Sequence, residues 1–365
     1  MRITGIRLVN FRNYASLALR PDEGLCVLTG DNAAGKTNIL ESVFLCALGR
    51  SHRTLRDTEM VRMGEAAGYV GLTLETLRGG RAIECRLFAG ERKKLLIDKK
   101  PLARSGELLG CLNVVMFAPE DLEIIKGGPG ERRRFMDMEI SQLKPKYYYT
   151  LQQYNAALKQ RNALLKSPED TSFRTFEPWD DQLAVLGAAV IIARGEHLET
   201  VAEAAARAHT RLSMGAEALR VVYQPNMPPV EPTRMIDALR EALFENLERD
   251  LNRGNTSVGP HRDDIGLYLD GVDLRTYGSQ GQQRTVVLSL KLAELEIIRE
   301  ERGESPVLLL DDVFSELDKR RQSTLLAAVQ DCQTFITCTH LEELTAAGVR
   351  QMQVYSVAGA NVIEI

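Results

Sequence analysis

The sequence predicts an α/β fold that carries an antiparallel β subdomain and is interrupted in its middle by an α-helical arm. Short apolar strands alternate with amphipathic helical patterns near both ends of the chain. Apolar and polar residues alternate between turns over residues 69–117, and apolar residues recur at helical spacing from residue 131 onward. We expect residues 1–120 and 253–365 to form two halves of a head and residues 121–252 to be inserted between them.

The pattern of the first part predicts strands followed by a helix. Residues 3–19 alternate as strands, and Leu25–Leu28 is the short apolar run of a buried strand. A helical pattern then begins at Lys36 and stops at Gly49. Residues 69–117 continue as a β meander.

The middle of the chain carries the two long helices of the predicted arm. Helical spacing runs through residues 131–166, where Pro145 breaks the stretch in two. The polar segment 167–178 is predicted as a loop, and residues 180–213 as one helix of roughly 50 Å. The α/β pattern then returns, with strands near 219–223, 265–269, 307–310, 334–337 and 354–357 and helices near 232–252, 282–301 and 318–330.

The composition is that of a globular protein. Of the 365 residues, 44% are hydrophobic and 26% are charged, which argues against a disordered chain, a coiled-coil rod or a disulfide-stapled miniprotein. Forty-six basic and fifty acidic residues leave a formal net charge of −4. A DNA binder held only by bulk positive charge is therefore disfavoured, and any DNA contact must be local.

The cysteines and apolar segments predict a cytoplasmic protein with no membrane partner. None of the six cysteines forms a CxxC pair, so we interpret them as reduced core residues of a reducing compartment. The opening residues MRITGIRLVNF contain no apolar signal core. The longest uncharged apolar run, residues 183–193, is shorter than the roughly 20 residues of a membrane span.

A phosphate-binding loop is predicted between the third strand and the first helix. Its segment matches G-x4-G-K-[ST] and consists of Gly30, Asp31, Asn32, Ala33, Ala34, Gly35, Lys36, Thr37 and the following Asn38. Glycines let several backbone N–H groups point at phosphate oxygens, and the helix N-terminus adds positive partial charge. Lys36 is expected to reach the β- and γ-phosphates, and Thr37 to ligate Mg²⁺.

Two acids at the end of a buried strand complete the predicted metal side. Residues 306–310 form an apolar strand that ends in Asp311 and Asp312. Asp311 is expected to orient Mg²⁺ directly or through water. Asp312 is placed to polarise the attacking water, or alternatively to cap the next helix.

The order of motifs in the last part resembles that of the ABC-type ATPases. Ser279-Gln280-Gly281-Gln282 precedes a helix, then come the two acids, Ser315-Glu316-Leu317-Asp318, and Thr339-His340 after a last strand. The resemblance implies that Ser279, Gly281 and Gln282 belong to a signature segment that acts on the ATP held by a partner subunit. It also implies that Asp318 crosses the dimer interface and that His340 senses the γ-phosphate.

The full set of motifs is similar to that of the RecF family of bacterial recombination mediators. It comprises Asn10-Phe11-Arg12-Asn13-Tyr14, Gly30–Asn38 with Glu41-Ser42, Ala118–Leu122, Gly128–Asp137, Gly259–Asp264 and Tyr277–Arg284. The resemblance implies a head-to-tail homodimer bridged by ATP and Mg²⁺, with slow, DNA-stimulated hydrolysis. It also implies binding to duplex, gapped or junction DNA, and help with RecA loading by RecR and RecO during the repair of DNA damage and replication restart.

Three positions depart from the usual ABC pattern. No glutamine occurs before Gln142, so the Q-loop contact must be absent or replaced, with Glu120 and Asp121 as candidates. The signature is S-Q-G-Q rather than S-G-G-Q, and the second acid, Asp312, is shorter than the usual glutamate.

Three further polar residues have two interpretations each. Arg12 lies close to the first strand and is a candidate phosphate contact, or an ordinary surface arginine. His261 and Arg262 line either the nucleotide or DNA side, or a structural polar turn.

Two basic clusters are candidate DNA surfaces. The β-segment cluster has nine basic residues against three acidic ones, and its members are Arg78, Arg81, Arg86, Arg92, Lys93, Lys94, Lys99, Lys100 and Arg104. The arm-base cluster consists of Lys126, Arg132, Arg133 and Arg134. Neither has an aromatic stacking array, which favours backbone contact to duplex DNA over base readout. A solvated hairpin remains the alternative for the first cluster.

Three other functions share parts of this pattern. A transporter motor subunit has the same nucleotide motifs, but it should be indifferent to DNA and lack the inserted arm. An SMC-like structural clamp predicts heptads over hundreds of residues, whereas this arm has only tens per strand. A small-molecule kinase should form its site as a monomer and have no use for Ser279.

Overall fold

A computed structural model describes residues 1–166, 172–227, 230–314, 317–346 and 349–365. These residues form two compact units. The sheet unit comprises Met1–Asp121, Arg211–Gly215 and Leu288–Ile365, and the helical unit comprises Leu122–Thr210 and Ala216–Val287.

The elements below are numbered in chain order. The strands are β1 (Arg2–Phe11), β2 (Tyr14–Leu19), β3 (Leu25–Thr29), β4 (Ala67–Thr76), β5 (Gly79–Phe88), β6 (Lys94–Ile97), β7 (Lys100–Pro101), β8 (Val114–Phe117), β9 (Leu219–Gln224), β10 (Asp264–Leu269), β11 (Val272–Asp273), β12 (Val307–Asp311), β13 (Thr334–Cys338), β14 (Gln353–Ala358) and β15 (Asn361–Glu364). The helices are α1 (Lys36–Leu48), α2 (Glu123–Lys126), α3 (Pro129–Leu143), α4 (Pro145–Lys166), α5 (Phe173–Ser213), α6 (Met235–Glu245), α7 (Leu247–Arg253), α8 (Leu274–Tyr277), α9 (Gln280–Arg302), α10 (Lys319–Ala328) and α11 (Leu341–Ala346).

The sheet unit begins with an antiparallel sheet of order β2-β1-β4-β5-β6-β7. Its apolar residues fall in cross-strand rows, as in the buried row formed by Leu19, Ile6, Leu72 and Ile83. Strand alternation places such residues on one face and polar residues on the other. This sheet contains the strands predicted within residues 3–19 and the first part of the predicted meander.

A second sheet has the order β15-β14-β3-β13-β12-β8, in which every pair but β14–β15 is parallel. Strand β8 was expected in the meander, but it pairs with β12 in this parallel sheet. The physical reason is its run of four consecutive buried residues, Val114–Phe117. Such a run needs cover on both faces, which strands of a parallel sheet generally have.

Helix α1 lies between the two sheets. It contacts β4 and β5 of the antiparallel sheet and β8, β12 and β13 of the parallel sheet. Its buried residues include Ile39, Leu40, Val43 and Phe44, which form the predicted apolar face. The first residue of α1, Lys36, is thereby held at the edge of the parallel sheet.

The helical unit contains a three-stranded antiparallel sheet of order β11-β10-β9 and the helices α2 to α8. Residues of α4, α5 and α6 share one apolar cluster that includes Tyr154, Ala157, Leu183, Ala188 and Leu239. At 1.5 Å per residue, the 41 residues of α5 span roughly 60 Å. In the parts of the chain that the structure describes, no helix is long and apolar enough to cross a membrane.

Two expectations for the middle of the chain differ from the structure. Residues 167–171 of the expected loop lie outside the described residues, and α5 begins at Phe173 rather than near residue 180. Phe176 is fully buried against Leu165 and Leu247, and this burial stabilises the added turns. The helical unit also extends to Val287 rather than 252, because β10 pairs with β9 along its whole length.

Candidate nucleotide-binding site

The predicted nucleotide motifs of the sheet unit meet at one edge of the parallel sheet. Strands β3, β13, β12 and β8 are adjacent and run in the same direction, so their carboxyl ends share that edge. Four segments follow these strand ends: Gly30–Gly35, Thr339-His340, Asp311-Asp312 and Ala118–Asp121. Ligands of open α/β sheets bind at this kind of edge.

Two glycines of the phosphate loop have no substitute. Gly30 has a φ of 150°, and a Cβ on it would lie 2.1 Å from the Val357 carbonyl oxygen. Gly35 has a φ of 116°, and its Cβ would lie 2.5 Å from Asn13 Nδ2 and 2.7 Å from the Tyr14 hydroxyl. Both positions combine a backbone conformation that side chains rarely adopt with a close approach, so the loop requires glycine at each.

The turn between β1 and β2 supports this loop. Asn13 Nδ2 donates to the Ala34 carbonyl at 3.0 Å, and the Tyr14 hydroxyl donates to the Gly35 carbonyl at 3.0 Å. Asn38 Nδ2 in turn donates to Asn13 Oδ1 at 2.8 Å. Burial raises the pKa of Tyr14 far above its ordinary value, which keeps its hydroxyl a donor. Within this segment only Arg12 was predicted as a phosphate contact, although the motif Asn10–Tyr14 covers the whole turn.

The Lys36 side chain lies within the phosphate loop. Its ammonium donates to the Gly30 carbonyl and, at 2.9 Å, to the Asp31 carbonyl. The side chain is 8% exposed, so its position is constrained by the loop around it. A buried cation among inward-turned backbone groups is suited to phosphate oxygens.

Asp311 and two threonines form the predicted metal side. Asp311 Oδ1 accepts hydrogen bonds from Thr37 Oγ1 at 2.9 Å and from Thr337 Oγ1 at 2.7 Å. Burial raises the pKa of Asp311, while these two hydrogen bonds oppose the rise. A hydroxyl next to one carboxylate fits Mg²⁺, which takes oxygen ligands. Water and substrate phosphates usually complete its coordination shell. Thr337, on β13, was not predicted because nothing in its sequence context distinguishes it from a core threonine.

Asp312, the second acid, differs from Asp311 in its exposure and in its backbone conformation. Asp312 is exposed and has a φ of 51°, and its N–H donates to Thr337 Oγ1 at 2.9 Å. His340 is also exposed and follows β13, which lies between β3 and β12. Both side chains are therefore accessible at the edge that carries the loop.

The two candidates for the missing Q-loop contact have different surroundings. Asp121 Oδ2 accepts from the Ala118 N–H at 2.8 Å, and its Oδ1 lies 3.5 Å from Lys291 Nζ. Glu120 is exposed, and its charge contributes to the raised pKa of Asp311. The Asp121 carboxylate is thus engaged within the chain, whereas the Glu120 carboxylate is exposed.

One arginine at this edge was not singled out from the sequence. Arg53 Nη1 donates to Asn38 Oδ1 at 3.1 Å, and its positive charge opposes the rise in the pKa of Asp311. The side chain is exposed. It adds a cation to the side of the site where phosphate charge is expected.

Arg12 forms a bidentate ion pair with a buried carboxylate. Its Nε and Nη2 donate to Glu41 at 2.7 and 2.6 Å, and its Nη1 donates to the Glu59 carbonyl at 2.8 Å. Burial would raise the pKa of Glu41, but hydrogen bonds from Arg12 and Ser51 outweigh it and lower that pKa. The guanidinium thus has a structural partner, and its predicted contact with phosphate stays a prediction.

We expect Arg12→Ala to lower the free energy of unfolding by about 3 kcal/mol at pH 7, because it leaves the Glu41 carboxylate buried without its cation. A carboxyl with a lowered folded pKa stabilises the protein above its unfolded pKa of about 4.3, and this contribution is lost as the pH falls through the folded pKa. The deficit of the variant should therefore shrink below about pH 4. Urea denaturation at pH 7 and at about pH 3 measures it, with Arg12→Lys as the charge-retaining control. An equal deficit at both pH values would contradict this account.

The signature segment, Ser279–Gln282, begins helix α9 within the helical unit. Ser279 Oγ accepts from the Gln282 N–H at 3.3 Å, and Gln282 Oε1 accepts from the Ser279 N–H at 2.8 Å, which is a capping box. Ser279, Gln280 and Gly281 are exposed. A Cβ on Gly281 would meet nothing within 4 Å. The chain itself therefore has no steric need for glycine there, although glycine costs a helix about 1 kcal/mol relative to alanine.

The neighbourhood of His261 is a structural polar turn. Its Nδ1 lies 2.7 Å from the Tyr154 hydroxyl and its Nε2 lies 3.0 Å from the Thr256 carbonyl. Burial lowers the pKa of His261 to about 4, so the ring is neutral. Arg262 Nη2 donates to Asn255 Oδ1 at 2.8 Å and to the Thr256 carbonyl at 3.0 Å. Of the two interpretations left open, the structure favours the polar turn.

The two basic clusters differ in how many of their charges face solvent. In the arm-base cluster, Arg132 is buried in a bidentate pair with Asp264, and Arg133 donates to the Asp263 carbonyl at 2.6 Å. In the β-segment cluster every basic residue except Lys93 is exposed. Arg86 and Lys94 are paired across β5 and β6, so they project from the same face of the sheet.

The motif Ser315–Asp318 lies partly within the described residues, which exclude Ser315 and Glu316. Asp318 caps helix α10 by accepting from the N–H groups of Arg320 and Arg321. Its expected place at a dimer interface stays a prediction.

Comparisons with known proteins connect these features to one family. The family model described as "RecF/RecN/SMC N terminal domain" matches residues 2–362. The chain is 46% identical over 348 residues to the DNA replication and repair protein RecF of Alkaliphilus oremlandii, covering 94% of this chain and 95% of that protein. It is 40% identical over 364 residues to the RecF of Clostridium acetobutylicum, with both chains fully covered.

Solved structures of RecF and of an Smc head domain are also similar to this chain. A structure of "the recombination mediator protein RecF-ATP in RecFOR pathway" matches with a TM-score of 0.93 at 36% identity, covering 100% of this chain and 97% of that one. The Smc head domain of Pyrococcus furiosus matches with a TM-score of 0.59 at 14% identity, covering 100% of this chain and 96% of that one. At that identity the second similarity shows the fold alone.

Proposed function

Since the chain belongs to the RecF/RecN/SMC family and, within it, to the RecF proteins, we propose that it is an ATP-dependent, DNA-binding mediator of DNA repair and replication restart. ATP binding joins two copies head to tail, and the joined pair holds DNA. Slow hydrolysis, weakly stimulated by DNA, releases it. The protein acts in the cytoplasm.

The observation that carries this proposal is the hydrogen bond between Thr37 and Asp311, which joins the phosphate loop to the acid at the end of β12. Backbone N–H groups of residues 30–35 and the Lys36 ammonium bind the phosphates. Thr37 and Asp311 would hold Mg²⁺, and Thr337 orients the Asp311 carboxylate. The metal ion would supply positive charge that neutralises the phosphates.

The accessible groups at the same edge have the remaining roles in hydrolysis. Asp312 accepts a proton from the attacking water, and His340 donates a hydrogen bond to the γ-phosphate. Glu120 takes the place of the missing Q-loop glutamine on the metal side, and its exposed place after β8, the neighbour of β12, supports this assignment.

The signature segment acts on the ATP of the other copy. The Ser279 hydroxyl and the N–H groups at the start of α9 contact the γ-phosphate there. The exposed position of Ser279 and the open space around Gly281 support this role, because a glycine without steric need inside the chain is explained by the close approach of something outside it.

We assign the DNA contact to the β-segment cluster, because eight of its nine basic residues are exposed, whereas Arg132 and Arg133 of the arm-base cluster are bound to Asp264 and Asp263. The contact is to phosphates of duplex DNA near gaps or junctions. RecR and RecO are proposed partners because a close structural relative is described in the RecFOR pathway. Loading of RecA is the proposed outcome of that partnership.

A double charge reversal, Arg86→Glu with Lys94→Glu, should weaken duplex DNA binding about tenfold in 0.1 M salt, because two phosphate contacts become repulsive. The slope of log K against log salt concentration should fall in magnitude by about two. Fluorescence anisotropy with labelled duplex in ATP, ADP and no nucleotide measures both quantities. Wild-type binding should be tightest with ATP.

The matched control is Lys126→Glu with Arg134→Glu, which makes the same charge change in the arm-base cluster. It should alter DNA affinity less than threefold, because it changes the net charge but leaves the proposed phosphate contacts in place. A larger loss in the control than in the β-segment variant would move the DNA surface to the arm base. DNA binding that is independent of nucleotide would contradict the ATP-dependent function.

A further inference from the structure

The signature segment is tied to a carboxylate outside it. Gln282 uses its Oε1 in the capping box with Ser279, while its Nε2 donates to Glu217 Oε1 at 2.8 Å. Both ends of the Gln282 amide are therefore engaged within the helical unit. Glu217 lies on the short segment between α5 and β9 and does not belong to any of the nucleotide motifs.

The same carboxylate faces the arm. Glu217 Oε2 lies 3.4 Å from Nε2 of His209, a fully buried residue on the last turns of α5. Glu217 itself is 27% exposed. One side chain thus joins the end of the long arm helix to the amide that caps the start of α9.

The orientation of the Gln282 amide matters for anion binding at this helix start. With its NH₂ group on Glu217, its oxygen is directed at the Ser279 N–H, and Ser279 Oγ accepts from the Gln282 N–H. The Ser279 hydroxyl then keeps its proton for an external acceptor. A flipped amide would set its NH₂ group against the Ser279 N–H and its oxygen against the Glu217 carboxylate, so it would break the capping box and lose the hydrogen bond to Glu217.

We propose that Glu217 is a positioning residue for the signature segment: it fixes the Gln282 amide and makes the geometry of Ser279 depend on the end of arm helix α5. This inference rests on the proposed function, because Ser279 is taken to act on the ATP of a second copy. Movement of α5 at His209 is then transmitted to the ATP-bridged interface through two side-chain contacts. The position of arm helix α5 thereby affects the stability of the dimer.

The test compares ATP-dependent dimerisation with ATP binding to the monomer. Glu217→Ala should raise the ATP concentration for half-maximal dimerisation about tenfold, since it removes a hydrogen bond to a charged acceptor. Binding of ATP by the phosphate loop, measured at protein concentrations too low for dimers, should change less than twofold. Glu217→Gln should restore dimerisation to near the wild-type level, because its amide oxygen can accept from Gln282 in place of the carboxylate.

A double-mutant cycle separates positioning from general destabilisation. Gln282→Ala should impair dimerisation, and adding Glu217→Ala to it should have no further effect, because Glu217 acts only through Gln282. Glu203→Ala, an exposed change on the same helix α5, is the matched control and should behave as wild type. The melting temperature of each variant is measured to confirm that it is folded.

The possible failures are distinguishable. If wild type forms no ATP-dependent dimer, the proposed function fails and this inference fails with it. If wild type dimerises and Ser279→Arg does not, but Glu217→Ala resembles Glu203→Ala, the positioning role alone is overturned. Additive losses in the cycle would overturn it as well. So would a Glu217→Gln variant that is as impaired as Glu217→Ala.

Discussion

Ser279→Arg should remain monomeric at ATP concentrations that convert the wild type to dimers, with dimerisation weakened by at least about a hundredfold. The guanidinium places bulk and charge at the helix start where a partner's γ-phosphate has to approach, and it removes the hydroxyl that donates to it. Light scattering coupled to size exclusion, with ATP, ADP and no nucleotide, measures the effect. ATP binding by the monomer should persist, because the phosphate loop belongs to the other compact unit.

Loss of the Ser279 cap alone lowers stability by about 1 kcal/mol, so a variant without this defect is needed beside it. Gly281→Ala serves, because its Cβ meets nothing within 4 Å of the same chain and alanine favours the helix. It should leave the monomer as stable as wild type or slightly more so, yet weaken the ATP-dependent dimer. Normal dimerisation of both variants, or full ATPase activity in a solitary copy, would contradict the role of the signature segment.

Asp312→Asn should hydrolyse ATP at least about a hundredfold more slowly and accumulate a long-lived ATP-bound dimer. Asparagine cannot accept the proton of the attacking water, and a positioned general base contributes roughly a hundredfold or more to such a step. The variant leaves the backbone intact, because Asp312 has a φ of 51° and asparagine tolerates this left-handed conformation almost as well. Steady-state phosphate release and the lifetime of the dimer after dilution measure the two effects.

The comparison variant for this experiment is Asp311→Asn. It should weaken binding of ATP with Mg²⁺ and disturb the hydrogen bonds from Thr37 and Thr337, so its defect should appear in binding as well as turnover. A defect in Asp312→Asn that is likewise seen in binding would assign Asp312 to the metal rather than to the water. Wild-type turnover in Asp312→Asn would place the base elsewhere.

Much of the site could be predicted because its chemistry is local in sequence. The glycines of the predicted phosphate loop, Lys36 and Thr37 lie within eight residues. This is the spacing expected of one loop that curls around phosphate. The two acids follow one apolar strand for the same reason: a buried strand delivers its last residues to the edge of the sheet. The order of these segments also predicted the family, which the comparisons confirm.

Residues that act through distant partners were missed or left open. Thr337 and Asn13 support the site only because β13 and the β1–β2 turn are folded against it. Arg12 had two interpretations because its partner Glu41 lies 29 positions away on another element. Strand β8 was assigned to the meander because its place beside β12 depends on pairing across nearly 200 residues.

The amino-acid sequence by itself determined the phosphate loop, the paired acids, the helical insertion and the family, since each depends on residue types at short, fixed spacing. Only the tertiary structure decided which basic cluster keeps its charges in solvent, that His261 belongs to a neutral polar turn, and that Glu217 holds the signature amide. The reason is physical: burial and partner choice arise when segments remote in the chain are packed together, and they set the charge and orientation that a side chain can offer.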